Sequence, residues 1–113
     1  MVNPQESIGD TTGALESLLV QLRLGKNLQA VKDQIVSRAY SRLRIIARKI
    51  LGSYDRHELD EETDGLVAEA YLRINRSLED LCPESVRQFL ALSALQMRRH
   101  LLDKLRKIHG RGA

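Results

Sequence analysis

The 113-residue sequence contains no tryptophan, one phenylalanine, three tyrosines, two prolines and one cysteine. A lone cysteine excludes an internal disulfide and a thiolate metal cluster. Cys82 stands before Pro83 in a stretch that reads as a loop, and there it is an incidental thiol rather than a nucleophile. The shortage of aromatics disfavours a β-sandwich. A chain that is 42% hydrophobic, with a core drawn from Leu, Ile, Val and Ala, suits packed helices. No apolar run approaches the roughly 20 residues of a membrane span. The opening MVNPQESIGDTTG lacks the apolar segment of a secretory signal, so a soluble, cytoplasmic protein is expected.

Catalytic signatures are missing too. His57, His100 and His109 are scattered, with no HExxH pair and no adjacent carboxylate cluster at ligand spacing. His100 and His109, within or just after a basic helix, read as surface groups rather than bases. Asp60, Glu61, Glu62 and Asp64 could hold a divalent cation, but they match no calcium-binding loop, and complementing a helix N-terminus explains them at less cost. No Gly-rich phosphate loop occurs. The sequence therefore gives no support for an enzyme, a metal or a cofactor.

What is present is an uneven distribution of charge. Formal net charge is +3. Residues 1–56 carry nine Lys/Arg against five Asp/Glu, residues 57–89 three against nine, and residues 90–113 six against one. A basic surface and an acidic one imply two different partners, or partial self-pairing.

The hydrophobic pattern predicts an all-α fold, a compact bundle of four helices. Residues 1–12, with Pro4, Gly9 and adjacent threonines, read as a disordered leader. A first helix is expected from about Thr12 to Leu24 on Leu15, Leu18, Leu19 and Leu22, with Gly25 ending it and Asn27 capping the next. The second, Leu28 to Leu51, buries Val31, Ile35, Ala39, Leu43, Ile46 and Ile50, and its later half is basic. Gly52 stops it, and a loop of about a dozen residues follows. The third begins near Thr63 with Val67, Ala70, Tyr71, Ile74 and Leu78 inward. Glu69, Leu72, Arg73 and Arg76 fall outside that set. Leu72 is of interest because a large apolar side chain on an outer face often marks a contact surface, although a lone exposed Leu is also normal.

Ser85-Val86-Arg87-Gln88 fits a capping box that opens the fourth helix. Leu90, Ala94, Met97, Leu101, Leu105 and Ile108 form one narrow stripe of it. Its other faces carry Arg98, Arg99, Lys104, Arg106 and Lys107 around a single acid, Asp103. Such a helix either solubilises the domain or lies along an anionic polymer.

Two tracts carry a family resemblance. Asp64-Gly65-Leu66-Val67-Ala68-Glu69-Ala70-Tyr71-Leu72-Arg73 resembles the region 2.2 signature of extracytoplasmic-function (ECF) sigma factors. Ser85 to Lys107, with Phe89 in the place of an aromatic and Arg98-Arg99 further on, is similar to regions 2.3 and 2.4. Leu19 to Gly25 and Tyr40 to Arg48 resemble the N-terminal helix and region 2.1. The likeness implies a sigma region 2-like domain over residues 13–109, with residues 110–113 at the start of a linker and region 4 absent from this sequence.

It also implies partners. Core RNA polymerase would be bound through its β′ clamp, by Glu69, Leu72, Arg73 and Arg76. The non-template strand of the promoter −10 element would lie on Arg87, Phe89, Arg98, Arg99, Lys104, Arg106 and Lys107. The loop from Glu79 to Arg87 would hold a flipped base, with Phe89 either near it or part of the core. An anti-sigma factor is a possible further partner, and no membrane is. Two departures from the family stand out: Ala68, where a polar residue is common, and the scarcity of aromatics on the strand-binding side. A different class of reading is a helical protein–protein adaptor whose basic and acidic faces dock one partner or each other. A duplex-binding helix-turn-helix protein fits less well, because the link between the third and fourth helices is longer than a tight turn.

Overall fold

The computed structural model describes the backbone of residues 4–52 and 63–111, and the side chains of residues 12–52 and 63–108. Four helices account for nearly all of it: α1 (Pro4–Leu24), α2 (Leu28–Gly52), α3 (Thr63–Leu81) and α4 (Val86–Arg111). No strand occurs among the described residues. The expected all-α bundle of four helices is thus observed. Most of the expected loop after α2, including His57, Asp60, Glu61 and Glu62, lies outside the described residues.

Local chemistry sets the helix ends. The backbone is helical from Pro4 rather than from about Thr12; proline suits a first turn because its missing N–H has no intrahelical acceptor to lose. At the other end Gly25 takes φ 76° and its N–H donates to the Leu22 carbonyl at 3.1 Å, the left-handed stop that glycine adopts freely. Asn27, at φ 50°, starts α2 and accepts from the Val31 N–H at 2.9 Å. Cys82 closes α3 at φ 40° with its N–H on the Leu78 carbonyl at 3.0 Å. Ser85 caps α4, its Oγ accepting from the Gln88 N–H at 3.1 Å. Gln88 reaches back to the N–H of Glu84 rather than to that of Ser85, a capping box displaced by one residue.

The core runs along α2, which packs against each of the other three helices. Leu15, Leu18, Leu19 and Leu22 enter from α1, and Val31, Ile35, Ala39, Leu43 and Ile50 from α2. Leu66, Val67, Ala70, Ile74 and Leu78 enter from α3. On α4 the buried line differs from the expected stripe. It centres on Val86, Phe89, Ser93, Met97 and Leu101, while Leu90, Ala94 and Leu105 sit at its margin and Ile108 is 43% exposed. Ser93 is tolerated inside because its hydroxyl donates to the Phe89 carbonyl one turn back, at 2.9 Å. The molecule measures 49 × 33 × 19 Å, and the short dimension is about two helix diameters. No helix among the described residues is long and apolar enough to cross a membrane.

Candidate nucleic-acid interface

The register between α3 and α4 decides what the two helices present. They pack side by side, and their facing edges carry opposite charges. Glu69 Oε2 lies 3.1 Å from His100 Nε2 and 3.6 Å from Lys104 Nζ. One turn along, Arg73 Nη2 lies 2.6 Å from Asp103 Oδ2. The hydrogen bond from Arg73 is the main reason the Asp103 carboxyl stays below its ordinary value; desolvation opposes it, and the nearby Arg106 and Lys107 cations add to it. Part of the charge asymmetry is therefore spent within the molecule, as self-pairing across one seam.

That seam sorts the candidate residues. Of the set expected on the polymerase side, Glu69 and Arg73 face α4, Arg76 is exposed, and Leu72 is 74% exposed. Of the set expected on the DNA side, Lys104 is half-buried against Glu69, and Arg106 reaches Asp103 at 3.6 Å from an exposed position. Arg87, Arg98, Arg99 and Lys107 are exposed. Among the described residues no carboxylate pairs with Arg98 or Arg99.

Phe89 is placed differently from the strand-binding role. It is 1% exposed, packed among Ile74, Ser77, Leu78, Leu92 and Ser93, so its ring faces are taken by the core. The loop expected to hold a base is also shorter than the span from Glu79 to Arg87. Glu79 to Leu81 and Val86 to Arg87 are helical, leaving Cys82 to Ser85 as the connection. Pro83 within it is buried, and its carbonyl accepts from Arg23 at 3.4 Å.

Beside the seam, a shallow groove brings Arg73 and Arg76 of α3 together with Gln96 and Arg99 of α4, with Asp80 and Leu81 at its end. Residues assigned to two separate surfaces by sequence thus share one. On the other side of α3, contacts to α2 fix its position. Tyr40 donates to Asp64 at 2.6 Å, and Arg44 lies 2.7 Å from the same carboxylate. The Tyr40 hydrogen bond is the chief cause of the lowered Asp64 pKa. Tyr71 donates to Asp33, which raises the phenol's pKa. Lys32, buried along its stem, reaches Glu79 at 2.8 Å and lowers that carboxyl's pKa. Tyr40, Tyr71 and Ala68 line the open groove between α2 and α3. Periodicity marked none of these pairs, because a helical period gives a residue's face and not the neighbour it meets.

Among the described residues no group of His, Cys, Asp and Glu could hold a metal ion. Residues 13–112 match a family model described as ECF sigma factor. No curated protein and no solved structure matches the chain.

Proposed function

Since the chain belongs to the ECF sigma factor family, whose members act in transcription initiation and are regulators rather than enzymes, we propose that its two outer helices divide the work of that role. In this reading α3 docks on core RNA polymerase, on the β′ clamp, through Leu72 and Arg76. Helix α4 lies along the non-template strand of the promoter −10 element. An anti-sigma partner would cover the same α3 surface, and the protein would act in the cytoplasm.

The observation that carries the reading is the pair Arg98 and Arg99, exposed and without carboxylate partners among the described residues, on a helix whose one acid is already held by Arg73. Positive charge left uncompensated at a surface attracts phosphate and displaces its counterions. Arg87, Arg106 and Lys107 extend the same charge along the helix. Lys104 has a lesser part, since Glu69 stands beside it.

Titration of a labelled −10-like single strand at increasing salt tests this. Three or four neutralised phosphates give a log–log slope of roughly −2 to −3. Replacing Arg98 and Arg99 together by Ala should flatten it by about 1.4, at about 0.7 per phosphate. An unchanged slope removes both arginines from the interface. In parallel, Leu72→Asp should abolish capture of core polymerase, and capture equal to the parent's rejects the α3 surface.

A further inference from the structure

The outer crest of α4 carries more than charge. Leu95 and Leu102 are 38% and 40% exposed. At 3.6 residues per turn they lie within about 20° of each other around the helix and about 10 Å apart along it. Arg98 falls on one flank of this line, and Arg99 and Arg106 fall on the other. The crest therefore alternates two apolar side chains with three guanidinium groups; Asp103, the acid nearest to it in sequence, is held by Arg73 at 2.6 Å and also lies 3.6 Å from Arg106.

Two partners could use such a surface. A protein partner needs an apolar centre within about 800 Å² of buried surface on each side, and two partly exposed leucines fall far short of one. An opened DNA strand needs only small apolar shelves between phosphate contacts, because each unstacked base offers a flat face that is costly to leave in water. Charge complementarity favours the strand as well.

Resting on the reading of α4 as the strand-binding helix, we infer that Leu95 and Leu102 are contact residues for unstacked bases, seated between the phosphates held by Arg98, Arg99 and Arg106. They take the part that aromatic side chains play on other single-strand surfaces, which fits a chain whose one phenylalanine is committed to the core. An aliphatic contact is weaker than stacking and tolerant of base identity, so these residues add affinity with little sequence preference.

The test uses the full chain carrying Leu95→Gln and Leu102→Gln together, with Leu95→Ala and Leu102→Ala as a second pair. Both replacements favour helix at exposed positions. Binding is measured on a −10-like single strand and on a strand of equal length made of abasic sites. The expected result is about tenfold weaker binding to the base-bearing strand, from partial burial of two leucines, with an unchanged salt slope and unchanged affinity for the abasic strand. Equal affinity of parent and variants for the base-bearing strand overturns the inference, as does an equal loss on both strands. Loss of polymerase capture with strand binding intact also overturns it and gives the crest to a protein. If the parent binds neither strand in a salt-dependent way, α4 is not a strand-binding helix, and premise and inference fall together.

Discussion

Replacing Phe89 separates a packing role from a nucleic-acid role. The ring is 1% exposed and surrounded by Ile74, Leu78 and Leu92. Truncation to Ala removes six ring carbons, roughly 100 Å³; an unrelaxed void of that size costs about 2.4 kcal/mol at 24 cal/mol per Å³. Lost transfer of the ring from water adds about 2 kcal/mol. The sum, about 4 kcal/mol, is a large share of the roughly 5–15 kcal/mol that holds a domain folded, and it lowers Tm by on the order of 20 °C. Phe89→Leu keeps most of the volume and should cost only about 1–1.5 kcal/mol. Urea unfolding of both variants gives the stabilities. Oligonucleotide titration of Phe89→Leu, at a temperature where it is fully folded, gives the function. Folded Phe89→Leu should bind single strands as the parent does. If it unfolds like the parent yet loses strand binding, the ring acts on DNA and its assignment to the core is wrong.

Two further outcomes follow from the polar contacts and the backbone. Asp64, Glu79 and Asp103 are held below their ordinary values of 3.8, 4.5 and 3.8. Their folded-state pKa values are depressed, so the stability they contribute is present above those ordinary values and disappears as pH falls through the lower, folded ones. Tyr40 and Tyr71 are raised above 10.0, so their contribution is complete below pH 10.0 and disappears as pH rises beyond it. Tm should be level at neutral pH and fall at both ends. Asp103→Asn should reduce the acid slope and Tyr71→Phe the alkaline one, and slopes unaltered by these changes would dissociate the contacts from stability. Cys82→Gly should raise the urea midpoint by the equivalent of about 0.5–1 kcal/mol, since a side chain at φ 40° is strained where glycine is not; a lowered midpoint refutes that account.

Much of the architecture was readable before any coordinates, because apolar period and end signals are local. Leu15, Leu18, Leu19 and Leu22 mark the buried face of α1, and Gly25 and Asn27 take the backbone roles their chemistry suggests. Misreadings cluster where a polar atom finds a local partner. Ser93 belongs to the core only because its hydroxyl bonds one turn back, and omitting it rotated the inferred stripe of α4 away from Phe89 toward Ile108. Leu66, next to Gly65 and outside the inward set that the period marks, is fully buried. Exposed Leu72 and the arginine pair at 98 and 99 were legible as candidates, since each breaks the pattern of its helix. That Glu69 meets His100, 31 residues away, was not. Such pairs depend on the rotation and slide of one helix against another, and these are fixed by the whole core.

The ionic seam between α3 and α4 has a thermodynamic consequence. Any ligand that draws Glu69 away from His100 and Lys104 leaves those two side chains with one counter-ion fewer, so α4 becomes more electropositive. A polyanion that engages Lys104 in turn liberates a carboxylate on α3. By linkage the two effects have equal magnitude and the same sign. Were a partner of α3 to engage Glu69 and a polyanion on α4 to engage Lys104, occupancy of either helix would therefore raise the affinity of the other.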